Sequence, residues 1–136
     1  MLGFTRAGEH GLLWQAIAAA GALLDRRQRA VYLRAARVVA LAYGANIVLK
    51  YAVRRARPLL EDLPPLSPTV TTLSYPSAHS TTSFAGARVL SEALPAGPLY
   101  VCAAAMALSR PYVGVHYPSD CLAGAALGTA LAAVLP

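Results

Sequence analysis

Five apolar segments, separated by short polar or proline-containing breaks, set the pattern along this chain. They run from Gly11 to Leu24, from about Ala30 to Arg55, from about Ala78 to just before Pro95, from roughly Gly97 to Leu108, and from Pro118 to Leu135. Each is long enough for a helix, whereas the proline-rich stretch from Pro58 to Tyr75 excludes one. The pattern therefore predicts an all-α protein, a bundle of about five helices with one longer loop.

The composition places this bundle in a membrane. The 136 residues, enough for a single domain, are 57% hydrophobic and only 13% charged, with a mean hydropathy of +0.48. A soluble domain of this size would expose much of that apolar surface. No apolar run free of charged residues reaches the roughly 18 residues of a clear membrane span, so we expect a thin or tilted membrane-embedded bundle.

Charge and cysteine content narrow the possible partners. The net charge of +6 suits nucleic acid, an anionic membrane face or an anionic substrate. Nucleic acid is disfavoured, because the arginines lie in small groups between apolar runs without interleaved aromatic residues. Cys102 and Cys121 show no metal-ligand spacing and are expected to be free, buried thiols. The oligomeric state is left open.

The first basic segment lies at the end of the second predicted helix. Lys50 and Arg57 are seven positions apart and share a face if the helix persists, with Arg54 on the same face. Pro58 then ends the helix. A basic flank whose side chains reach towards lipid headgroups would explain this segment equally well when it is taken alone.

The second segment is Pro76-Ser77-Ala78-His79, at the start of the third predicted helix. Ser77 is suited to cap that helix, whose first N–H groups then form an anion site. His79 lies beside this site, within reach for proton transfer. The alternative is an ordinary capped helix start with an incidental histidine.

The third segment, Ser109-Arg110 followed by His116 and Asp120, is the most specific. Arg110 offers a planar fork suited to two phosphate oxygens. His116 and Asp120 are four apart at a helix start, so the carboxylate can hold one imidazole nitrogen and leave the other free to attack. A surface His-Asp pair is the alternative, but a carboxylate at the start of a membrane helix is costly.

Together the three segments resemble the signatures of the type 2 phosphatidic acid phosphatase family, membrane relatives of the vanadium haloperoxidases. The family patterns are Lys and Arg-Pro separated by six residues, then Pro-Ser-Gly-His, then Ser-Arg followed after five residues by His and after three more by Asp. The matching residues are Lys50…Arg57-Pro58, Pro76-Ser77-Ala78-His79 and Ser109-Arg110…His116…Asp120. Ala78 replaces the family's Gly, and its methyl group crowds the phosphate or demands a negative φ.

The resemblance implies a fold, a mechanism and a set of roles. It implies an acid-phosphatase or haloperoxidase-like helical core, shortened at the amino terminus from the family's usual six helices. His116 would attack phosphorus to form a phosphohistidine, Asp120 would orient it, and His79 would protonate the leaving oxygen and then activate water. The phosphate would be held by Lys50, Arg57, Ser77, the N–H of Ala78 and Arg110, with neither metal nor cofactor.

The implied substrate is a membrane lipid phosphate. The Ala- and Arg-rich composition is typical of a high-GC bacterium, which favours a prenyl carrier of cell-wall synthesis: a polyprenyl-type phosphate or pyrophosphate, or a phosphorylated prenyl-sugar carrier. Phosphatidic acid and phosphatidylglycerol phosphate are the alternatives. A protein that only binds anionic lipid without catalysis is a further alternative. A zinc enzyme with His10, His79 and His116 as ligands is disfavoured by their scattered spacing and the nearby arginines. A haloperoxidase is disfavoured because the chain is short and apolar.

Helix alternation predicts the orientation in the membrane. It places the three signature segments on one side and the cluster from Arg26 to Arg29 on the other. With Lys50, Arg57 and Arg110 set aside for chemistry, two cations remain on the signature side against five on the other: Arg54 and Arg55 against Arg26, Arg27, Arg29, Arg34 and Arg37. The positive-inside tendency then predicts a multi-pass protein of a bacterial-type cytoplasmic membrane with its site on the extracytoplasmic face. Residues 1–10, which carry Arg6 and Glu9, do not resemble a cleavable signal peptide.

Overall fold

The computed structural model describes residues 11–59, 69 and 71–136, and these form five helices. The helices are α1 (Leu12–Leu24), α2 (Arg29–Val53), α3 (Ala78–Leu90), α4 (Ala96–Tyr112) and α5 (Pro118–Val134). Outside the helices, the described part contains one isolated antiparallel bridge, between Ala56 and Leu73. The predicted all-α bundle is confirmed. His10 and most of the predicted 58–75 loop lie outside the described residues.

The end of α2 differs from the prediction and changes how Arg57 reaches the site. Arg54 has a φ of 55°, in the left-handed region, so the helix ends at Val53. The chain beyond is extended and pairs with residues 72–74. The expectation that Lys50, Arg54 and Arg57 share one helical face was therefore wrong, since only Lys50 lies within the helix.

The end of α4 also differs, because Pro111 is accommodated within the helix. The sequence placed the end near Leu108, whereas the helix continues to Tyr112. Proline donates no N–H, but its fixed φ suits a helical turn. Gly114, with a φ of 74°, then turns the chain towards the site.

The central helix of the bundle is α3, which packs against α2, α4 and α5. It is rich in small hydroxyl residues, and Thr81 Oγ1 donates to the Ser77 carbonyl 2.9 Å away, one turn back. Trp14 of α1 donates to Ser83 Oγ at 2.9 Å in the interior. The helix ends at Leu90, earlier than the segment predicted, and turns follow it.

Two glycines allow α5 to lie directly against α3. A Cβ placed on Gly124 would lie 2.6 Å from the Ser77 carbonyl oxygen. A Cβ on Gly128 would lie even closer to the Thr81 carbonyl oxygen. The sequence pattern of small residues four apart therefore serves packing between helices of the same chain.

The outer faces of the bundle are apolar. Within the helices, the most exposed large apolar side chains are on α1, α2, α4 and α5, namely Leu23, Leu24, Val48, Val101, Leu108, Leu122 and Val134. Of the described helices, α2 alone is long and apolar enough by itself to cross a membrane, and α1 and α5 are shorter apolar helices. The 13 residues of α1 give a length of about 20 Å, against about 30 Å of hydrocarbon, in keeping with a thin or tilted membrane-embedded bundle.

Two free thiols and an arginine contact belong to the packing of the bundle. Cys102 is half-buried and Cys121 is buried, and both are free thiols, as predicted. Arg34 joins helices at the opposite end, where its Nη1 donates to Glu92 at 2.9 Å and its Nη2 donates to the Ala132 carbonyl at 2.9 Å.

Candidate active site

One end of the bundle brings together three parts of the chain that are distant in sequence. These are the end of α2 with the extended segment after it, the start of α3, and the link from α4 to α5. The backbone N–H of Ser77 donates to the Asp120 carbonyl at 3.0 Å, which ties the start of α3 to α5. Arg57 Nη1 donates to the Val115 carbonyl at 2.7 Å, which ties the extended segment to the α4–α5 link.

His116 lies at the centre of this end, only 4% exposed. Its Nε2 is 3.2 Å from Arg57 Nη1. A guanidinium only donates hydrogen bonds, so Nε2 carries the lone pair and the imidazole proton is on Nδ1. That nitrogen lies 3.6 Å from Asp120 Oδ2, just beyond hydrogen-bond distance. The arrangement defines a neutral imidazole whose N–H faces the carboxylate.

The surroundings of His116 disfavour its protonation. Burial, and then the positive charges nearby, lower its pKa to about 2; these charges come from Arg57, Lys50, Arg110 and His79. The imidazole is consequently neutral and nucleophilic at physiological pH. The same effect shows that the four basic groups converge on His116.

Asp120 is fully buried, and each of its carboxylate oxygens has a partner besides His116. Oδ2 accepts from the backbone N–H of Tyr117 at 2.8 Å, which caps the start of α5. Oδ1 accepts from Arg55 Nη1 at 3.0 Å. The sequence interpretation counted Arg55 among the peripheral cations and missed this contact.

Lys50 and Asn46 lie one turn apart on α2 and hold the loop that precedes α3. Lys50 Nζ donates to the carbonyl oxygens of Leu73 and Pro76 at 3.3 and 3.0 Å. The side-chain amide of Asn46 donates to the same Pro76 oxygen at 3.2 Å and to Thr81 Oγ1 at 2.9 Å. Asn46 was missed, although an amide within an apolar helix is itself a signal of a bonded polar site.

The start of α3 has the form that its sequence predicted. The Ser77 side chain accepts from the backbone N–H three residues on, at 3.4 Å, and caps the helix. Ala78 is the first helical residue and, in the described part of the chain, only Arg54 among non-glycine residues has a positive φ. The backbone therefore tolerates the methyl group of Ala78. The first N–H groups of any α-helix have no carbonyl of that helix as a partner, so the start of α3 favours a bound anion.

Arg110 completes the set of residues predicted for the site. It lies in the last turn of α4 and is only 3% exposed. All eight predicted site residues lie at this one end of the bundle: His116, His79, Asp120, Lys50, Arg57, Ser77, Ala78 and Arg110.

This arrangement is suited to a tetrahedral anion. Lys50, Arg57 and Arg110 supply fixed positive charge, and the first turn of α3 supplies N–H donors. Among the described residues no group of three His, Cys, Asp or Glu could hold a metal ion. The alternative zinc set includes His10, which lies outside them, so that hypothesis stays open to experiment.

Curated relatives of the chain are phosphatases. A decaprenylphosphoryl-5-phosphoribose phosphatase of Mycolicibacterium smegmatis is 43% identical over 86% of this chain and 65% of the relative, just under two thirds of its length. A protein of the same name from Mycobacterium tuberculosis is 38% identical over 98% of this chain and 75% of the relative.

Two solved structures share the fold. A transmembrane PAP2-type phosphatidylglycerolphosphate phosphatase from Bacillus subtilis superposes with a TM-score of 0.74 at 30% identity, over 98% of this chain and 71% of the other. LpxE of Aquifex aeolicus superposes with a TM-score of 0.72 at 25% identity, over 96% of this chain and 79% of the other. These likenesses confirm the predicted fold class.

The family profile that matches the chain covers residues 31–136, which include the three signature segments and four of the five helices. The match agrees with the geometry at the polar end of the bundle and with the resemblance that the segments carry. The chain belongs to the PAP2 superfamily.

Proposed function

We propose that this protein is a metal-independent phosphatase that releases phosphate from a membrane lipid through a phosphohistidine on His116. One observation carries the proposal. A buried, neutral imidazole has its lone pair on the nitrogen that faces Arg57, and further cations surround it. That is the arrangement needed for a nitrogen nucleophile to meet a bound phosphate.

Substrate binding would free the nucleophile. In the free protein Arg57 donates to Nε2 of His116. A bound phosphate would draw that guanidinium to its own oxygens, together with Lys50, Arg110 and the N–H groups of α3. The Nε2 lone pair would then be free to attack phosphorus, while the Nδ1 proton would close the 3.6 Å gap to Asp120.

The reaction would proceed in two displacements. In the first, a P–N bond forms at His116, the P–O bond to the lipid breaks, and His79 gives its proton to the leaving oxygen. In the second, His79 takes a proton from water, whose oxygen attacks phosphorus as the P–N bond breaks. The products are the lipid alcohol and inorganic phosphate, and the three cations balance the charge on the equatorial oxygens in both steps.

The preferred substrate class is a phosphorylated prenyl-sugar carrier. The two relatives named above act, by their names, on decaprenylphosphoryl-5-phosphoribose. The site lies at one end of an apolar bundle, where a lipid headgroup would present its phosphate. A glycerophospholipid phosphate is the second candidate, favoured by the likeness to the phosphatidylglycerolphosphate phosphatase structure.

The orientation proposed is a multi-pass protein of the cytoplasmic membrane with its site facing outward. Because Asp120 binds Arg55, that arginine joins the site cations. Among the described residues only Arg54 then remains at the site end of the bundle, against six arginines at the other: Arg26, Arg27, Arg29, Arg34, Arg37 and Arg88. Cationic residues accumulate on the cytoplasmic side of membrane proteins, which supports this orientation.

The test is phosphate release from a panel of lipids in detergent, with wild type and His116→Asn compared side by side. The panel holds a prenylphosphoryl-ribose 5-phosphate, a prenyl diphosphate, phosphatidic acid and phosphatidylglycerol phosphate. We expect turnover of the prenyl-sugar phosphate by wild type, unchanged by chelator and inhibited by orthovanadate, and none by the variant. Loss of activity with chelator would favour the zinc hypothesis, and binding without turnover by wild type would favour a non-catalytic lipid-binding protein.

A further inference from the structure

Arg55 contacts the catalytic elements from a position outside the phosphate site. Its Nη1 donates to Asp120 Oδ1 at 3.0 Å and to Ser119 Oγ at 2.9 Å. Its guanidinium carbon lies 4.2 Å from the centroid of the Tyr117 ring, a cation–π arrangement. One side chain therefore contacts two residues of the first turn of α5 and the residue before the helix.

The backbone of Arg55 contacts the loop that leads into α3 at the same time. Its carbonyl oxygen accepts from the backbone N–H of Ser74 at 2.8 Å and from Ser74 Oγ at 3.3 Å. Ser74 lies in that loop, two residues before Pro76, where the second signature segment begins. Arg55 thus joins the end of α2 to the start of α5 and to the loop before α3.

The two carboxylate oxygens of Asp120 face different partners. Oδ1 binds Arg55, whereas Oδ2 faces Nδ1 of His116. Rotation of the carboxylate would break its contacts with Arg55 and with the backbone N–H of Tyr117. The Asp120 side chain is 0% exposed, so its negative charge needs a partner.

We propose that Arg55 is a positioning residue for the reaction: it keeps Asp120 ionised and holds Oδ2 against Nδ1 of His116. The inference rests on the phosphatase function proposed above and adds a residue to it. Arg55 does not touch the substrate phosphate in this proposal, since its side chain reaches the carboxylate from the side away from the imidazole and is 40% exposed.

Loss of Arg55 would have a consequence that depends on pH. The titratable and charged groups that act on Asp120 are Arg55, Lys50, Arg57, His116 and Cys121. Without the guanidinium at 3.0 Å, the buried negative charge of Asp120 loses the partner that stabilises it relative to the neutral carboxyl group. A protonated Asp120 no longer stabilises the positive charge that the imidazole gains on attack.

The experiment compares Arg55→Met, which removes the charge, with Arg55→Lys, which keeps it, across pH 5–9. Arg54→Met is the matched control, because the neighbouring Arg54 is exposed and its Nε bonds only one turn back, to the Tyr51 carbonyl. The measurements are kcat and KM for the lipid that wild type hydrolyses, the dissociation constant of orthovanadate, and the thermal midpoint. Orthovanadate adopts the five-coordinate geometry of the attacked phosphorus and reads the site without turnover.

We expect Arg55→Met to lower kcat by about tenfold to a hundredfold, the range typical of a lost positioning partner, with KM within about threefold of wild type. The acid limb of its pH profile should move to higher pH, both for kcat/KM and for the affinity for vanadate. Arg55→Lys should retain the acid limb of wild type and a rate within about tenfold, and Arg54→Met should match wild type in both.

Two results would overturn the proposal. One is an Arg55→Met protein with the rate and pH profile of wild type. The other is equal loss in the Met and Lys variants with no change in the acid limb, which indicates a role in folding alone. If the Met variant does not fold, Arg55→Gln provides the same comparison of charge. If wild type hydrolyses no lipid in the panel, the proposed function fails, and the pH dependence of vanadate binding still decides the role of Arg55.

Discussion

At the scale of single residues, the hydrogen bond between Arg57 and His116 determines the chemistry that the site can perform. It leaves the proton on Nδ1 and the lone pair on Nε2, so the tautomer needed for attack is present before substrate binds. The imidazole is buried among cations and stays neutral. In the proposed mechanism, the residue that binds the phosphate therefore also holds the nucleophile in the tautomer that attack requires.

Arg57→Lys should reduce kcat/KM by about a hundredfold or more, which corresponds to about 2.7 kcal/mol of transition-state stabilisation. The guanidinium binds the carbonyl oxygens of Thr71 and Val115 and also Nε2 of His116. A lysine ammonium has a single nitrogen and cannot make these contacts together. Steady-state kinetics test this, with Arg54→Lys as the control that should retain normal rates; equal rates in the two variants would contradict the role of Arg57.

The lowered pKa of His116 predicts a change of stability with pH. In the unfolded chain this group takes up a proton near its ordinary pKa of about 6.5, whereas in the folded protein it does so near pH 2. Its contribution to stability is thus present above about pH 6.5 and is lost as the pH falls from there towards 2, by up to about 1.4 kcal/mol per unit.

His116→Gln should consequently lose less stability than wild type between about pH 6.5 and pH 4.5. Thermal or denaturant unfolding in the same detergent at the two pH values provides the measurement. The glutamine amide does not titrate, so the difference between the two proteins isolates the imidazole. Identical pH dependence in wild type and variant would show that His116 is not held neutral.

Residue-level contacts mark the limit of what the sequence predicts. The spacing of the three segments identified the eight candidate site residues, and the structure places them at one end of the bundle. The spacing did not indicate that Arg55 belongs to the site. Its contact with Asp120 depends on the left-handed turn at Arg54, and that turn could not be predicted because the residue there is neither Gly nor Asn. The site contacts of Asn46 likewise depend on where the Pro76 carbonyl comes to lie.

At the scale of elements, the pair α3 and α5 supports the site. The start of α3 carries the anion-binding N–H groups, and the Asp120 carbonyl of α5 accepts from the backbone N–H of Ser77. Gly124 allows the close approach that this contact needs, since its position lies directly against the Ser77 carbonyl. The helix contact and the phosphate site are thus parts of one packing arrangement.

Gly124→Ala should lower stability by about 1–3 kcal/mol and reduce activity along with it. The added Cβ would lie 2.6 Å from the Ser77 carbonyl oxygen, so the start of α3 has to shift. Thermal midpoint and kcat/KM are the measurements. Gly44→Ala is the matched control, because its Cβ meets nothing within 4 Å and alanine favours the helix, so it should be at least as stable as wild type.

Element boundaries were predicted less well than element number. The pattern identified all five described helices because apolar runs mark four of them, and the Pro76-Ser77 start and the Pro95 break mark α3, which is rich in hydroxyl residues. It placed the end of α4 too early, since the chain accommodates Pro111 in the last turn, and the end of α2 too late. Both errors arise where packing at the site, rather than local propensity, determines where the helix stops.

At the scale of the whole molecule, the bundle has a polar end with the site and an opposite end rich in arginine. Exposed apolar side chains cover the faces between them. Arg34 connects α2 to the end of α5 and to Glu92, away from the site. This division into two ends underlies the proposed outward orientation of the site.

Cysteine labelling in intact cells tests that orientation. In a background with Cys102 and Cys121 replaced by alanine, Leu59→Cys reports the site end, where Leu59 is 92% exposed, and Arg26→Cys reports the other. A membrane-impermeant maleimide should label Leu59→Cys in intact cells and Arg26→Cys only after lysis, because the arginine-rich end is expected in the cytoplasm. The reverse pattern would place the site inside the cell.

The most direct measurement is rapid-quench trapping of the phosphoenzyme with an aryl phosphate labelled at phosphorus. Because an aryl leaving group needs little help from an acid, His79→Ala should still be phosphorylated. Without His79 to activate water, the phosphoenzyme should then be hydrolysed slowly. We expect acid-labile, base-stable label on the peptide that contains His116, accumulating in His79→Ala and absent in His116→Asn. Turnover by wild type with label on another residue, or with none in His79→Ala, would contradict the phosphohistidine account.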